Sequence, residues 1–128
     1  MEEDAIPVVI VVDQAETRRH RVAESIRHAG GRSLEAATPL EAIALVEAGR
    51  GDIDALAIAE KLTQTCGDEL VQYLSITHPD LAVAMIPERP PTEDDHPSCE
   101  VVLPCDGRDA TGPVRPLVER AAEHHRRP

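Results

Sequence analysis

The stretch Val8-Val9-Ile10-Val11-Val12, followed at once by Asp13, decides the fold. All five apolar residues are β-branched and no polar residue alternates with them, which is typical of a strand buried on both faces of a parallel sheet. In open α/β sheets, ligands and reacting groups lie beyond the carboxyl ends of such strands. Asp13 therefore stands where a functional site is expected, and the ends of the other strands should supply its partners.

Composition narrows the class of protein. The 128 residues suit one domain with a single core, which must be built from Val, Ile, Leu and Ala because Phe and Trp are absent. A formal charge of −11 argues against nucleic acid and anionic membranes as partners, since both require a basic surface. No apolar stretch approaches the roughly 20 residues of a membrane span, and the acidic N-terminus lacks a signal peptide's features. Three cysteines without C-x-x-C spacing fit reduced thiols, so we expect a cytoplasmic protein.

Strands and helices alternate along the chain. The pattern predicts strands at 8–12, 33–37, 53–59, 81–86 and 100–103, and helices at 15–29, 39–49, 67–78 and 116–123. This alternation predicts a single α/β domain over 1–128, with a five-stranded parallel sheet and helices on both of its faces. Residues 124–128 are predicted to form a short basic tail.

One stretch between the fourth and fifth predicted strands breaks the alternation. Residues 87–99 contain four prolines, which remove amide donors and restrict the residues before them. We therefore expect an extended acidic loop where a helix would ordinarily follow the strand. This segment also contains four ligand-type residues, Asp94, Asp95, His96 and Cys99. A hydrated acidic loop explains them better than a metal site does, and we expect no metal.

The order of these elements resembles the receiver domain of bacterial two-component response regulators. Three segments carry the resemblance, and it spans nearly the whole chain: Val9-Ile10-Val11-Val12-Asp13-Gln14, Asp54-Ala55-Leu56-Ala57-Ile58-Ala59 and Cys66-Gly67-Asp68-Glu69-Leu70. The resemblance implies a three-layer, flavodoxin-like α/β fold with strand order 2-1-3-4-5, in which the Pro-rich loop replaces the fourth helix. It also implies a role in phosphorelay signal transduction rather than an enzymatic activity.

The resemblance also implies a phosphorylation site, and this chain departs from it at most positions. Receivers are phosphorylated on an aspartate that ends the third strand, two acids after the first strand hold Mg²⁺, and a hydroxyl residue and a lysine end the fourth and fifth strands. The corresponding residues here are Asp13 and Gln14, Ala59, Pro87 and Pro104. An alanine has no side-chain oxygen to phosphorylate, and a proline has neither hydroxyl nor ammonium. The resemblance therefore implies a degenerate receiver with lost or weak Mg²⁺ binding, and Asp13 is expected to cap the following helix.

Glu60 leaves an alternative register open. If the loop after the third strand is one residue shorter, Glu60 occupies the acceptor position, where a permanent negative charge would mimic the phosphorylated state. The spacings to Asp54 and Gly67 favour Ala59 instead, which would leave Glu60 as a solvated residue at the mouth of a loop.

The leading functional hypothesis is a receiver-like module that binds a protein partner independently of phosphorylation. The partner would be a histidine kinase, another regulator or a second copy of the chain, which would make a homodimer. The residues predicted to contact it are Arg89, Glu93, Asp94, Asp95, Arg108 and Arg115. The alternatives are a working phospho-acceptor and a sensor of a cyclic dinucleotide, whose phosphates Arg89, Arg108 and Arg115 would bind near the fifth strand.

Overall fold

The computed structural model describes residues 6–49, 52–62, 65–90 and 101–126. Within them, five strands form one sheet: β1 (Val8–Val12), β2 (Arg32–Ala36), β3 (Ala55–Ala59), β4 (Ala82–Ile86) and β5 (Val101–Val102). The described helices are α1 (Glu16–His28), α2 (Pro39–Gly49), α3 (Gly67–Thr77) and α4 (Thr111–Arg126). A short antiparallel hairpin, Lys61–Leu62 with Thr65–Cys66, separates β3 from α3 and was not predicted.

The strand order is β2-β1-β3-β4-β5, and every pair in this sheet is parallel. Val12 at the end of β1 lies beside Ala36 in β2 and Ile58 in β3, and Ala59 lies beside Ile86 at the end of β4. The predicted fold class and strand order are thus confirmed. Because these strands are parallel and in this register, their carboxyl ends meet at one edge of the sheet.

The strand β1 is buried on both faces, as its composition predicts. Val9 and Val11 pack with apolar residues of α1 and α4 on one side of the sheet, and Ile10 and Val12 pack with residues of α2 and α3 on the other. These four β1 side chains have no exposed surface. Burying a side chain of this size contributes roughly 1.5–3 kcal/mol, so the central strand anchors both halves of a three-layer domain.

The helix α2 begins with a capping box formed by Thr38 and Glu41. The Glu41 amide donates to Thr38 Oγ1 at 3.1 Å, and Glu41 Oε1 accepts from the amide of Ala37 at 2.7 Å. Pro39 occupies the first helical position, where its missing N–H leaves no hydrogen bond unmade. This local chemistry explains why the predicted start of α2 agrees with the structure.

The helix α4 differs from the prediction at both ends. It begins at Thr111 rather than at Pro116, and it continues through 124–126, which were predicted to be part of a basic tail. Pro116 lies inside the helix rather than at its start. The first turns are held by Val114, which is fully buried and donates its amide to the Ala110 carbonyl at 2.8 Å. Burial of this early turn outweighs the hydrogen bond that Pro116 cannot make.

The segment after β4 follows the prediction as far as it is described. Residues 87–90 are not helical, and the remainder of the predicted loop lies outside the described residues. That remainder includes Glu93, Asp94, Asp95, His96 and Cys99. Among the helices of the described ranges, none is long and apolar enough to cross a membrane.

Candidate functional site

Asp13 lies at the carboxyl edge of the sheet and is fully buried. Its Oδ1 accepts from Arg18 Nη2 at 2.9 Å, and its Oδ2 accepts from Arg18 Nε at 2.5 Å. Oδ1 also accepts from the amide of Ala15 at 2.9 Å, just before α1 begins. Asp13 therefore does not cap α1 as predicted, because the N-cap residue is Ala15, which has no side-chain cap hydrogen bond, and Asp13 reaches only the amide of Ala15 itself. The dominant partner of Asp13 is instead a bidentate guanidinium, which forms the strong type of charge-assisted pair.

Arg18 extends from the first turn of α1 across the ends of three strands. Its Nη1 donates to the carbonyl of Cys105, which follows β5, at 3.3 Å, and lies 3.7 Å from Glu88 Oε2, which follows β4. The hydrogen bond with Asp13 raises the pKa of Arg18 above its ordinary value, although burial acts in the opposite direction. The guanidinium is thus a permanent cation where β1, β4 and β5 end, and its side chain is only 14% exposed.

Glu60 connects the end of β3 to this group. Its backbone amide donates to the Ile86 carbonyl at 2.8 Å, and its side-chain Oε1 accepts from the amide of Glu88 at 2.8 Å. The carboxylate is exposed and reaches the segment that follows β4. Asp13, Arg18, Glu60 and Glu88 are hereafter called the strand-end network.

Ala59 is the last residue of β3, and it is fully buried in the apolar core on the α2 and α3 side. The chain returns close to it, since the amide of Gly67 donates to the Glu60 carbonyl at 2.7 Å. A Cβ on Gly67 would lie 2.3 Å from the Ala59 carbonyl oxygen, so only glycine fits at the start of α3. The position that the resemblance assigns to the phosphoacceptor thus holds a methyl group, with Glu60 immediately outside the strand.

The remaining predicted pocket residues surround this edge. Gln14 is exposed beside Asp13, Pro87 is buried directly after β4, and Pro104 is partly buried after β5. The Pro104 carbonyl accepts from the amide of Gly107 at 3.1 Å, which closes the turn after β5. Neither proline supplies a side-chain hydroxyl or ammonium group. Asp13, Glu60 and Glu88 supply the carboxylates of the strand-end network.

The predicted partner-binding residues lie on separate segments. Arg89 is exposed beside Glu88, Arg108 is exposed in the turn after β5, and Arg115 is exposed on α4. The Arg108 amide donates to Asp106 Oδ1 at 2.9 Å within its own turn. Glu93, Asp94 and Asp95 lie outside the described residues. The three arginines therefore belong to three different stretches of the carboxyl-edge and α4 surface.

The opposite, amino edge of the sheet holds a cluster that the sequence analysis missed. Asp54, just before β3, is fully buried. Its Oδ1 lies 2.7 Å from His124 Nδ1, and its Oδ2 lies 2.8 Å from His125 Nδ1 and 2.9 Å from the Val8 amide nitrogen. The Asp54–histidine cluster, as these three side chains are called below, joins residues 70 and 71 positions apart. No local sequence signal relates them.

Metal-binding side chains do not converge in the described ranges. Across 6–49, 52–62, 65–90 and 101–126, no three His, Cys, Asp or Glu side chains are placed to hold an ion. At the carboxyl edge, both oxygens of Asp13 already accept hydrogen bonds from the Arg18 guanidinium.

Comparisons with known proteins define the class of fold. The sequence matches no family model and no curated protein, whereas 126 chains of solved structures match it. The signal receiver domain of an HD domain-containing protein from Pseudomonas fluorescens Pf-5 has 16% identity over 92% of this chain and 98% of that chain, with a TM-score of 0.73. The chemotaxis response regulator CheY4 of Vibrio cholerae has 17% identity over 91% and 98%, with a TM-score of 0.72.

Other matches are partial. CheY in the CheX–CheY–BeF3–Mg complex from Borrelia burgdorferi has 19% identity over 65% of this chain and 63% of that chain, with a TM-score of 0.60. Two further matched chains are covered over 65% and 37% of their length, less than two thirds in each case. At these identities the comparisons establish the fold: the chain has the fold of a response-regulator receiver domain.

Proposed function

We propose that this chain is a receiver domain of two-component signalling that acts without phosphorylation, as a protein-interaction module. One observation carries the proposal: the buried carboxylate of Asp13 is bound on both oxygens by Arg18, a cation of the chain itself. In the receivers that the sequence resembles, this position helps to hold Mg²⁺. This geometry supports a pocket in which the Arg18 guanidinium is the cation that binds Asp13.

The energetics favour the arginine over a divalent ion. For Mg²⁺ to bind Asp13, Arg18 must leave two charge-assisted hydrogen bonds to a buried carboxylate, and breaking such a pair costs about 3–5 kcal/mol. Mg²⁺ also gives up its waters reluctantly and usually relies on more than one oxygen ligand from protein or phosphate. Gln14 replaces the second acid here, so the second carboxylate ligand that would offset this cost is missing.

The acceptor position supports the same conclusion. Ala59 ends β3 and offers a buried methyl group, which cannot form an acyl phosphate. Pro87 and Pro104 supply none of the donors that would neutralise charge on a transferring phosphoryl group. The proposal therefore assigns the whole edge a fixed electrostatic state rather than a phosphorylation cycle.

A second candidate, a permanently activated receiver, is favoured by one contact of Glu60. Its carboxylate accepts the Glu88 amide at 2.8 Å and so links the end of β3 to the segment after β4. A negatively charged group in this place is what a phosphomimetic glutamate would supply. Both candidates describe a domain held in one state, and they differ in whether the Glu60 charge is needed for that state.

The proposed partner is a protein. CheY of Borrelia burgdorferi, which shares the fold, was solved in complex with CheX. For this chain we propose a histidine kinase, another regulator or a second copy, because its charge of −11 does not suit nucleic acid. The carboxyl edge is the proposed contact surface, since the exposed residues Glu60, Glu88 and Arg89 lie together there.

Nuclear magnetic resonance of the ¹⁵N-labelled protein with Mg²⁺ and beryllofluoride, a phosphoryl analogue, tests the proposal. We expect the amides of Ala15 and Glu60 to keep their shifts in the wild type. Arg18→Met, which frees Asp13, should acquire Mg²⁺-dependent shifts at Ala15, whereas the control Arg21→Met should not. Saturable shifts in the wild type, or an acyl phosphate detected by mass spectrometry after incubation with acetyl phosphate, would contradict the proposal.

The interaction role needs its own experiment. Wild-type protein and Glu60→Gln serve as baits in affinity capture from the native host, and each captured protein is then purified and titrated against both baits. A phosphorylation-independent module binds its purified partner with the same affinity in the presence and absence of acetyl phosphate. Loss of binding in Glu60→Gln would favour the phosphomimetic candidate, and equal binding would favour a surface that does not depend on this charge.

A further inference from the structure

The Asp54–histidine cluster lies at the amino edge of the sheet, away from the strand-end network, and the proposed function does not use it. Asp54 is fully buried, and the side chains of His124 and His125 are 18% and 28% exposed. Both histidines belong to the last turn of α4, whereas Asp54 directly precedes β3 and its third partner, Val8, begins β1. The cluster therefore attaches the end of α4 to the start of β3.

Hydrogen-bond chemistry assigns the position of the protons. An ionised carboxylate can only accept, so Nδ1 of each histidine must carry a hydrogen that it donates to Asp54. The other ring nitrogen, Nε2, is then the atom that gains or loses a proton. Because Nδ1–H is present in both the neutral and the charged ring, protonation at Nε2 keeps the hydrogen bonds and places a positive charge beside a buried anion.

The charged side chains around His124 are mostly acidic. Two adjoining cavities, of about 260 and 240 Å³, are lined by His124. The other ionisable side chains that line them, from the turn after α3 and from α4, are His78, Asp80, Arg120 and Glu123. With Asp54 included, three acids face one permanent base. The carbonyl end of α4 adds a partial negative charge, which favours a cation in the last turn of a helix.

We propose that the Asp54–histidine cluster is a proton-dependent contact that holds the last turn of α4 on the sheet more firmly when a histidine is protonated. With neutral rings the cluster carries a charge of −1, and the first proton brings it to zero. A positive charge on either ring adds Coulomb attraction to the hydrogen bonds that hold the turn, so a proton bound at Nε2 opposes detachment. Free imidazoles exchange this proton near about pH 6.5, so pH 8 and pH 6 are the two conditions to compare.

Hydrogen–deuterium exchange tests the proposal on the intact chain. After correction for the intrinsic rate, we expect amide protection over residues 121–126 to rise roughly threefold from pH 8 to pH 6 in the wild type. The double variant His124→Gln/His125→Gln should show no such rise. His78→Gln is the matched control, because it removes an imidazole from the same cavity but none from Asp54, and it should keep the rise. Protection that is flat in the wild type, or that rises equally in the double variant, overturns the proposal.

A second measurement does not depend on any variant folding. Imidazole ¹⁵N shifts of the wild type at pH 8 report which ring nitrogen carries the hydrogen. We expect Nδ1–H for both His124 and His125, with Nε2 as the nitrogen that titrates. Nε2–H as the major tautomer of both rings at pH 8 would remove the hydrogen bonds on which the proposal depends and would overturn it.

Discussion

The two edges of the sheet each contain a fully buried aspartate, but the partners of these aspartates differ in chemistry. At the carboxyl edge Asp13 is paired with Arg18, whose guanidinium stays charged at any working pH. At the amino edge Asp54 is paired with His124 and His125, and imidazole is the type of side chain that can exchange a proton near neutral pH. Two equally buried carboxylates can thus have different partners: one whose charge is constant, at the carboxyl edge, and one whose charge can change with pH, at the amino edge.

The two proposals together describe a fold that gives up the response to phosphorylation and keeps the means for a response to pH. Under the proposed function, the Arg18 guanidinium bound to Asp13 takes the place of Mg²⁺ and opposes its entry. At the amino edge the buried charge is that of the Asp54 carboxylate. Under the second proposal, the pH decides whether an imidazole beside it carries the compensating positive charge. If both proposals hold, phosphorylation no longer acts at the carboxyl edge, and protonation acts at the amino edge.

The largest expected effect is that of Arg18→Met, which leaves Asp13 buried without an ion partner. We expect the free energy of unfolding to fall by about 3–5 kcal/mol, measured by urea denaturation. Arg21→Met is the control, since the described bond of Arg21 goes to the Asp106 carbonyl at 3.1 Å; its loss should stay below about 1.5 kcal/mol. The double variant Asp13→Asn/Arg18→Met should recover part of the loss, and equal losses for Arg18→Met and Arg21→Met would contradict the pairing.

The corresponding change at the amino edge, Asp54→Asn, should cost less. The amide keeps one oxygen as an acceptor, so part of the bonding to Val8 and the histidines survives. We expect the free energy of unfolding to fall by about 1–3 kcal/mol, again by urea denaturation. Asp52→Asn, an exposed position two residues earlier, should change it by no more than about 0.5 kcal/mol. A loss at Asp54 greater than that at Arg18 would reverse the ranking of the two edges.

A smaller effect separates the charge of Glu60 from its hydrogen bond. Glu60→Gln keeps an oxygen for the Glu88 amide, whereas Glu60→Ala removes it. Because the side chain is exposed, we expect a loss of about 0.5 kcal/mol or less for Gln and about 1 kcal/mol for Ala. The amide shift of Glu88 should move far more in the Ala variant. Identical shift changes in both variants would show that the charge, rather than the bond, sets the environment of Glu88.

The smallest effect concerns Glu35, a partly exposed carboxylate that serves as a reference for the two buried ones. Burial alone would raise its pKa, but hydrogen bonds from Arg19 and His20 at 2.8 and 2.9 Å outweigh burial and lower it. A lowered carboxyl pKa means stability that is present above the ordinary value near 4.3 and is lost as the pH falls through the lowered one.

The measurement compares the wild type with Glu35→Gln at pH 6 and pH 3. We expect the wild type to be more stable by up to about 1 kcal/mol at pH 6, because the pair is solvent-screened, and the difference to shrink at pH 3. An advantage that grows as the pH is lowered would contradict the sign of this linkage.

Much of the fold was predictable because its causes are local. The β-branched run 8–12 indicated a strand buried on both faces, and the predicted start of α2 agrees with the structure because Thr38 and Glu41 hold that end by local hydrogen bonds. The last helix was predicted to begin too late, at Pro116, because proline is common at the first position of a helix. The burial of Val114 in the preceding turn depends on packing against the sheet, which no local pattern reveals.

The candidate site was predictable only in part. Spacing from Gly67 indicated that the strand before it ends at Ala59, and β3 does end there. The partner of Asp13 was missed, although Arg18 is only five residues away, because the sequence does not show in which direction a long side chain at the start of α1 extends. Its guanidinium reaches back to the strand end, which depends on how α1 is placed against the turn after β5.

The sequence by itself determined the alternation of elements, the doubly buried central strand, the acid after it and the methyl group at the end of β3, because each depends on residue type and short-range spacing. Only the tertiary structure decided which base meets which acid: a guanidinium at Asp13 and two imidazoles at Asp54. The physical reason is that ion pairs form between elements brought together by burial of the whole core, and His124 comes within 2.7 Å of a carboxylate 70 residues earlier only when α4 packs on the sheet.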